Sequence, residues 1–501
     1  MGIGATRTPW ETAELTPALQ PEQPESVTVA RSGRSARNSA STRSARAGRR
    51  AKTDPAQTGH GEAEATASKI AWPVLIFVVS LVIPWIIALG PLSMSPYRFV
   101  LLALLVPCLV MWVRGRAGPI RAVDVLVLLY CIWAAISLAV DQGLGASVQS
   151  SGIFFIETMG AYLLARCYVR TAAEFESMVA LVTKVIILLL PFAAYEWVTG
   201  QKPLLMAFGA VFPTVDVTLM QPRLGFWRVQ GPFAHSIMFG LFCGSMFVLA
   251  FYVPAAGYKT VRRRVMTGLV MATAVMSMSS APIAGVVVQI ALIGWNWILR
   301  QYKFRWKILW GLIFAAYLMI ELGSNQSPVQ FYISYFTFDK GTGWFRLYIW
   351  EFGSASVANN PLFGIGFGDW VRPTWMAPDS VDNFWLLTAM RYGIPGLAFI
   401  LGAYLLLLFS IAAKKFEGEK LQNYKMAYLI CMTTYFIVGT TAHLWAAPYV
   451  WFVFLLGSGV WFLSVEPQQA AQPETEEAEP GRRKLRASSV RRASAGLRQK
   501  Q

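Results

Sequence analysis

The segment 384–413, FWLLTAMRYGIPGLAFILGAYLLLLFSIAA, decides the fold class of this chain. It contains one charged side chain, Arg391, and its apolar residues fall on all sides of a helix. A helix needs about 20 apolar residues to cross a hydrocarbon core about 30 Å thick, so the segment is typical of a transmembrane helix. The turn at 393–396 (GIPG) lies inside it, and Pro and Gly at this depth predict a broken helix.

The composition extends this conclusion to the rest of the chain. Its 501 residues are 55% apolar and include 19 Trp and 31 Phe. Apolar runs of about 17–22 residues recur along it, whereas a water-soluble protein would show amphipathic stripes with a 3.6-residue period. We therefore predict an all-α fold, a polytopic transmembrane helical bundle with a large periplasmic loop between spans 9 and 10.

We predict about twelve transmembrane spans. They are 70–90, 96–113, 122–140, 150–167, 178–198, 235–256, 265–279, 282–299, 306–322, 384–413, 424–441 and 446–464. Lys and Arg concentrate in the connections after spans 2, 4, 6, 8 and 10. Because positive residues mark the cytoplasmic side, this bias predicts that both termini are cytoplasmic. The sequence SMSSAP between spans 7 and 8 also fits a kink within one bent region.

Polar segments flank the predicted transmembrane domain, 69–465. Residues 1–68 lack the apolar stretch of a signal peptide, and 31–52 contains eight basic residues and no acid. Residues 466–501 are acidic first and then basic. We predict two disordered cytoplasmic arms that contact membrane lipids, and the net charge of +17 is mostly a topology signal. No folded motif supports nucleic acid as a partner.

The cysteines give no sign of a metal site or of an external disulfide framework. All five lie in or beside predicted spans, and the sequence has no CxxC and no Cys/His cluster. We expect them to be small core residues. The loops also lack an acidic metal-binding cluster, so we expect neither a metal nor another cofactor.

Two outer connections are long, 199–234 and 323–383, and both carry cations on the side where few are expected. These cations are Lys202, Arg223, Arg228, Lys340, Arg346 and Arg372. Guanidinium groups bind phosphates and carboxylates through paired hydrogen bonds. The two loops therefore predict an anionic ligand on the outer face.

Arg228 and His235 lie where the first loop enters span 6, in RVQGPFAH. In a functional interpretation, Arg228 binds a diphosphate and His235 donates to it or carries a proton. In the structural alternative, Arg228 extends along the membrane interface and His235 caps a helix. Taken alone, this loop favours the structural alternative.

The second loop predicts a helix at 344–358, ended by Asn-Asn-Pro at 359–361. Phe345, Tyr348 and Phe352 share one face of this helix. Arg346 and Trp350 are spaced i, i+4 and are therefore neighbours. An interfacial helix with aromatic anchors explains the same pattern about as well.

The turn after this helix contains Asn360, Gly364, Gly366 and Gly368. Glycines permit a tight backbone that approaches a bulky substrate closely. No strand precedes the glycines, which excludes a dinucleotide-binding fold for practical purposes.

The mouth of span 10 carries Asp382 and Asn383, with Arg391 deeper in the same span. Asp382 could act as the general base for a sugar hydroxyl or pair with Arg346. Alternatively, Asp382 and Asn383 simply cap the helix, since Asp and Asn are preferred N-cap residues. Arg391 reaches phosphates or pairs with an acid. The same two interpretations, function or pairing within the bundle, apply to three more intramembrane charges: Glu157, Lys184 and Glu196.

The order of these elements resembles the O-antigen ligase and polymerase superfamily, which includes exopolysaccharide polymerases. The matching elements are Arg-Val-x-Gly-x-Phe-x-His at 228–235, Arg-x3-Trp at 346–350, Asn-Pro-Leu-x-Gly-x-Gly-x-Gly at 360–368, and Asn383. The resemblance covers roughly 200–465, and the turn at 360–368 is its most specific part.

The resemblance implies a metal-independent inverting glycosyltransferase of the C type in the bacterial inner membrane. Such enzymes take a glycan from undecaprenyl diphosphate at the periplasmic face. Polymerases pass it to another lipid-linked repeat, whereas ligases pass it to lipid A-core. Polysaccharide export and chain-length proteins are possible partners of such an enzyme.

By position, the resemblance assigns Arg228 and Arg346 to the diphosphate leaving group and His235 to orienting the site. The predicted substrate contacts are Arg223, Trp350, Asn360, Gly364, Gly366, Gly368, Asn383 and Arg391, and Trp344 and Trp370 are further candidates for stacking on sugar rings.

One departure from the family favours a polymerase over a ligase. Family members often have His directly before the Asn at the mouth of the late span, where this chain has Asp382. Asp382 then acts as the general base, or the role lies elsewhere. The rival classes are a transporter and a non-catalytic subunit of an export complex. The unequal outer loops and the absence of an evident internal repeat argue against the transporter.

Overall fold

The computed structural model describes residues 70–465 except 91, 257–259, 326, 328–329, 332–339 and 377–379. The predicted arms at 1–68 and 466–501, with the basic block at 31–52, lie outside the described residues. All statements below refer to the described part of the chain.

Helices make up most of the described residues, which confirms the helical fold class. In chain order they are α1 (Trp72–Leu81), α2 (Pro96–Val113), α3 (Ala122–Gln142), α4 (Leu144–Phe155), α5 (Ala161–Tyr168), α6 (Ala172–Thr199), α7 (Pro203–Gly209), α8 (Ser236–Tyr252), α9 (Thr260–Val275), α10 (Ser280–Ile298), α11 (Arg305–Gly323), α12 (Lys340–Asn359), α13 (Phe384–Ala413), α14 (Glu419–Gly439) and α15 (Ala446–Ser458).

Shorter elements complete the described chain. A two-stranded antiparallel hairpin, β1 (Ile87–Leu89) and β2 (Leu92–Met94), lies between α1 and α2. A π-helical segment, Ile156–Gly160, joins α4 to α5. Single 3-10 segments, Val253–Ala256 and Val460–Leu463, follow α8 and α15.

Within the described residues, seven helical segments are long and apolar enough to cross a membrane. They are Pro96–Val113, Ala122–Gln142, Ala172–Thr199, Ser280–Ile298, Arg305–Gly323, Phe384–Ala413 and Ala446–Leu463. Helices α1 and α8 are apolar but shorter. The protein is therefore a multi-pass helical membrane protein by length and composition, and the count of twelve spans stays a prediction.

The first predicted span, 70–90, is helical only in its first half. Helix α1 ends at Leu81, and Pro84 cannot donate a backbone hydrogen bond. The Ile86 N–H donates instead to the Pro213 carbonyl at 2.8 Å, and the Val215 N–H donates to the Pro84 carbonyl at 2.9 Å. The helical prediction is therefore wrong beyond α1, because pairing with the first long loop replaces the helical hydrogen bonds.

The predicted spans 7 and 8 are two separate helices, α9 and α10. The link between them, 276–279, includes Met278 with φ 46°, a left-handed conformation that is uncommon for a side chain of this size. The Val229 N–H donates to the Met276 carbonyl at 3.1 Å, so the first long loop packs on this link. The kinked-helix alternative is thereby excluded.

The centre of the core is α15, whose span is 89% buried. Trp451, Phe452 and Phe454 are fully buried there, and α15 packs against α5, α8 and the π segment. The cysteines are free and buried, as expected of core residues. At the other extreme, α11 has no buried residue, which suits a helix that faces lipid.

A buried ion pair stabilises the end of the bundle opposite the long loops. The Arg166 Nε lies 3.3 Å from the Asp124 Oδ1, and both side chains are almost fully buried. Tyr162 and Trp112 donate to the same carboxylate at 2.5 and 3.1 Å. Arg166 also donates to the Ala117 and Pro119 carbonyls, which holds the turn between α2 and α3.

Helix α13 is broken at Gly393, as the sequence predicts. Gly393 has φ 70° and ψ 179°, and Pro395 two residues later has no N–H. The Ile394 N–H donates to the Pro361 carbonyl at 2.7 Å instead of to its own helix. The carbonyls of Met390 and Arg391 therefore lose the donors that an unbroken helix would provide.

The glycine-rich turn 361–368 supplies the missing donors. The Ile365 N–H donates to the Met390 carbonyl at 2.8 Å, and the Gly366 N–H donates to the Arg391 carbonyl at 3.0 Å. Gly364 has φ 70°, and a Cβ there would lie 2.4 Å from the Met390 carbonyl oxygen. We call this pairing of 361–368 with 390–394 the clasp.

We expect Gly393→Ala to destabilise the clasp. Its positive φ is strained for alanine, by about 1–3 kcal/mol, and the new Cβ would lie 1.9 Å from the Leu362 carbonyl oxygen. The thermal unfolding midpoint of the detergent-purified protein should therefore fall. The matched control is Gly268→Ala in α9, where a Cβ meets no atom within 4 Å and no loss is expected. Equal midpoints for the two variants would contradict the clasp.

We expect Asp124→Ala to destabilise the bundle by about 3–5 kcal/mol, because it leaves the Arg166 guanidinium buried without its carboxylate. Loss of folded, full-length protein from membranes would measure the effect. Glu419→Gln, an exposed change near the same end, should change stability by less than about 0.5 kcal/mol. A stable Asp124→Ala variant would show that the ion pair is dispensable.

Candidate functional site

Both long loops, the start of α13 and the link 440–445 lie at one end of the bundle, which we call the site face. The Phe384 N–H donates to the Ala442 carbonyl at 3.1 Å, which joins the start of α13 to the link. The rings of His235 and Trp445 lie 6.2 Å apart, which brings the first long loop to the same link. Candidate residues far apart in sequence therefore share one surface.

Arg223 and Arg228 both bind the link between α9 and α10. The Arg223 Nη1 donates to the Met278 carbonyl at 3.1 Å, and the Arg228 Nη2 donates to the Ser279 hydroxyl at 3.0 Å. Burial, and then the charge of Arg223, lower the pKa of Arg228 to about 10, so it stays protonated at neutral pH. Among the described residues neither arginine forms an ion pair with a carboxylate. Their combined charge is suited to an anionic ligand.

His235 caps helix α8. Its Nδ1 accepts a hydrogen bond from the Ile237 N–H at 3.1 Å, so the structural alternative for this residue is confirmed. Burial, followed by the charges of Arg228 and Lys202, lowers the pKa of His235 to about 4. The imidazole is neutral at neutral pH and keeps an Nε2–H for a ligand, whereas a role in carrying protons is disfavoured.

Helix α12 carries a buried arginine, Arg346. The predicted helix at 344–358 is confirmed, and Arg346 is only 5% exposed. Burial raises the pKa of the Asp382 carboxyl, while the positive charge of Arg346 opposes that rise. Arg346 therefore lies within electrostatic range of Asp382, and direct pairing of the two residues stays a prediction.

The predicted aromatic face of α12 packs on α13. Phe345, Tyr348 and Phe352 pack around Ile349, in a cluster that includes Leu386 of α13. This packing fixes the position of the Arg346 backbone relative to the mouth of α13.

The three candidate tryptophans differ in exposure. Trp344 is 60% exposed and Trp350 is 40% exposed, so both remain candidates for stacking on a sugar. Trp350 is thus much more exposed than Arg346, although the two are one helical turn apart. Trp370 is 6% exposed and packs in the apolar cluster beside α12, so burial argues against a sugar contact there.

The glycines of the turn approach protein rather than open space. A Cβ on Gly366 would lie 2.3 Å from the Asp141 carboxylate, and one on Gly368 would lie 3.0 Å from the Ile365 carbonyl. The backbone carbonyl of exposed Asn360 accepts a hydrogen bond from the Gly364 N–H at 3.1 Å. We predicted from the sequence that these glycines let the backbone approach a substrate closely. In the structure they let it approach other parts of the protein, and direct contact with substrate stays a prediction.

Asn383 is the N-cap of α13. Its Oδ1 accepts from the Leu386 N–H at 3.0 Å, and the residue is 6% exposed. The capping alternative is therefore confirmed for Asn383.

A cavity of about 270 Å³ opens on the site face, near the lower end of the range for small-molecule pockets. Its charged and titratable lining includes Arg98, Glu157, Arg391 and His443. The Arg98 Nε donates to Glu157 at 2.8 Å, so these two charges largely cancel. The Arg391 guanidinium lies 4.9 Å from the centre of the Phe367 ring, in a cation–π contact, and forms no ion pair among the described residues.

Three irregular stretches of backbone form the wall of this cavity. The π segment 156–160 carries Glu157, and π-bulges occur frequently at functional sites. The break at Gly393 lies next to Arg391 and Tyr392. Ala446 has φ 52°, a strained conformation for a residue with a Cβ. Such irregularities persist only where the surrounding structure holds them, which supports a site here.

The sequence reasoning did not select His443, although it lines the cavity. Its ring lies near-parallel to those of Phe384 and Trp445, with centroids 6.5 and 5.4 Å away. A single histidine within an apolar connection is a weak indication of a functional site. The sequence feature that could have drawn attention to it is that the whole chain has only 3 histidines.

Among the predicted intramembrane acids, Glu196 has a structural role. Its carboxylate accepts hydrogen bonds from the N–H groups of Gln230 and Gly231 and forms an ion pair with Lys202. Lys184 is exposed on α6. Among the described residues, no group of three or more His, Cys, Asp or Glu side chains is placed to hold a metal ion. Arg223, Arg228 and Arg391 form no ion pair among the described residues, whereas Lys202 pairs with Glu196.

The family comparison covers the second half of this site. A family model described as O-antigen ligase matches residues 265–401. The matched range begins in α9 and ends in α13, and it contains Arg346, the clasp, Asp382 and Arg391. A search of curated proteins finds no match. Residues 265–401 are thus similar to the O-antigen ligase family, which confirms the resemblance of this chain to the O-antigen ligase and polymerase superfamily.

Proposed function

We propose that this protein is an inner-membrane glycosyltransferase that polymerises undecaprenyl-diphosphate-linked oligosaccharide repeats at the periplasmic face. It would serve as an exopolysaccharide or O-antigen polymerase. One observation carries the proposal: the segment that matches the O-antigen ligase family contains Arg346, Asp382, the clasp and Arg391. The arginines of the first loop lie on the same face.

The reaction needs positive charge where the diphosphate leaves. As the bond from the sugar to the phosphate breaks, negative charge develops on the diphosphate, and fixed cations stabilise it. Arg223 and Arg228 are held by the 276–279 link, and Arg346 is buried on α12. We propose that these guanidinium groups bind the diphosphate without a metal, as in an inverting transferase of the C type.

Asp382 is proposed to hold Arg346 in the orientation that binds the diphosphate. A carboxylate beside a buried guanidinium fixes its direction and supplies part of the charge balance. The sequence also predicts Asp382 as the general base. The double variant of Asp382 and Arg346 tests whether the two residues act together or Asp382 acts independently as a base.

The orientation in the membrane follows from charge. The end of the bundle opposite the site face carries basic residues, including exposed Arg114, Arg116 and Arg300. Positive residues mark the cytoplasmic side, which supports a periplasmic site face and cytoplasmic termini. Membrane lipids and polysaccharide export or chain-length proteins are the proposed partners.

A ligase is the second candidate, because the matching family model is described as O-antigen ligase. A ligase would move a finished glycan to lipid A-core, whereas a polymerase would extend the lipid-linked glycan. The two differ in what accumulates when the protein is missing.

We expect Arg346→Ala to lower polymer formation by about 10²–10³-fold. Removing one group that stabilises developing charge costs about 10²–10³ in rate. The measurement is gel and mass analysis of surface glycan from a deletion strain complemented with wild type, Arg346→Ala or the control Arg300→Ala. Arg300 is exposed on the opposite end, so its variant should restore polymer.

Each possible glycan pattern has a distinct meaning. Single repeat units in the deletion strain, with polymer restored by wild type, establish a polymerase. Full-length polymer left on its lipid carrier establishes the ligase. Normal polymer with Arg346→Ala would refute the role of this arginine and favour the transporter.

We expect Asp382→Ala and Arg346→Ala to be strongly non-additive, because residues that act as one unit lose their function together. Polymer yield in the double variant should equal that of Arg346→Ala alone. Multiplicative losses would show instead that Asp382 has an independent role, as a general base would. Protein level is measured in each strain, because Asp382 and Arg346 also help to pack the loop.

A further inference from the structure

We propose that His443 accepts the proton of the attacking sugar hydroxyl, in the cavity that it shares with Arg391 and the Arg98–Glu157 pair. This inference rests on the proposed glycosyl transfer, and it assigns the step to a residue outside the segment that matches the family. The acceptor would be a sugar hydroxyl on a glycan that also carries an anionic group.

The cavity offers what a sugar acceptor needs. Its volume is about 270 Å³, and the rings of Phe367, Phe384 and Trp445 form part of its wall. Aromatic rings pack well against the apolar faces of sugars, while Arg391 supplies a positive charge for an anionic substituent. The cavity is thus built to hold a ring and to direct one polar group toward His443.

His443 has a capacity for hydrogen bonding that the described protein does not use. Its Nδ1 is buried and has no hydrogen-bond partner among the described residues, so the nitrogen that is open to a ligand in the cavity is Nε2. The ring is held in a fixed orientation by Phe384 and Trp445. A buried polar atom without a partner is costly, and functional sites are where such atoms are tolerated.

The other candidate bases are engaged elsewhere. His235 uses its Nδ1 to cap α8. Glu157 accepts from Arg98 at 2.8 Å and from the Tyr97 hydroxyl at 3.0 Å. Asp382 interacts with Arg346. Within the described part of the chain, His443 is therefore the group on this cavity best placed to take a proton.

The charge of Arg391 links proton acceptance to substrate binding. Burial, and then Arg391, lower the pKa of His443 to about 3, so the imidazole is neutral at neutral pH and its lone pair is available. An anionic group bound to Arg391 would offset that charge and raise the pKa of His443, while the larger effect of burial remains. The titratable and charged groups that line the cavity with it are Arg98, Tyr130, Glu157, Arg391, Tyr392 and Tyr449.

The acceptor hydroxyl oxygen forms a bond to the anomeric carbon of the donor sugar, and the bond from that carbon to the diphosphate oxygen breaks. The electron pair leaves with the diphosphate, and the hydroxyl proton moves to the lone pair of His443. Imidazolium then releases the proton to water, which returns the residue to its neutral form.

The test uses spheroplasts of the deletion strain, which expose the outer face and contain the endogenous lipid-linked repeats. The rate of polymer formation is measured with wild type, His443→Gln, His443→Asn and His443→Ala, each checked for full-length protein and for its thermal unfolding midpoint. Gln and Asn keep a polar group of similar reach but cannot take a proton. Imidazole is then added to the His443→Ala spheroplasts, with Arg346→Ala as the matched control.

General base catalysis contributes about 10²–10⁴-fold, so His443→Gln and His443→Asn should each lose at least about 100-fold in rate. Imidazole should restore part of the rate in His443→Ala and none in Arg346→Ala. A rate within about tenfold of wild type for either polar variant, or no rescue by imidazole, would overturn the proposal. If the deletion strain makes polymer without this protein, the proposed function itself fails.

Discussion

The carbonyl groups of Met390 and Arg391 are the constraint on which the site face depends. A helix broken at Gly393 leaves both without their usual donors, and an unpaired carbonyl buried in a membrane protein costs about 1–3 kcal/mol or more. The turn 361–368 pairs with both of them. Helix α3 reinforces the same junction, because Ser137 donates to the Arg391 carbonyl at 3.1 Å and Trp133 donates to the Tyr392 carbonyl at 2.9 Å.

This pairing brings together groups that are distant in sequence. The turn follows α12 directly, so the clasp anchors the carboxyl end of α12 to α13. It also places Phe367 against the Arg391 guanidinium at the cavity. Backbone hydrogen bonds of the clasp thus fix the turn beside Arg391.

Much of this arrangement was predictable from local sequence. The helix at 344–358, the break at 393–396 and the end of α12 at Asn-Asn-Pro depend on periodicity and on Pro and Gly, which act within a few residues. The match to residues 265–401 confirms the resemblance that rested on the turn at 360–368. Each of these features is determined by residues close to it in the sequence, so the sequence alone predicts it.

The remaining features depend on contacts between distant segments. Nothing near Pro84 indicates that it pairs with 213–215, so the first span was predicted too long. The glycines of the turn were assigned to substrate, whereas the groups that they meet are in α13 and α3. His443 was passed over because the cavity it lines is assembled from the π segment, α13 and the 440–445 link. Hydrophobic periodicity and residue type do not reveal contacts between segments that are distant in sequence.

The most direct test of the account is to measure free undecaprenyl diphosphate. The purified protein, in liposomes with lipid-linked repeat units extracted from the deletion strain and with EDTA present, should release it as longer lipid-linked glycans appear. One molecule of carrier should be freed for each new linkage. Repeat units that cross the bilayer without release of carrier would contradict the account and identify a transporter.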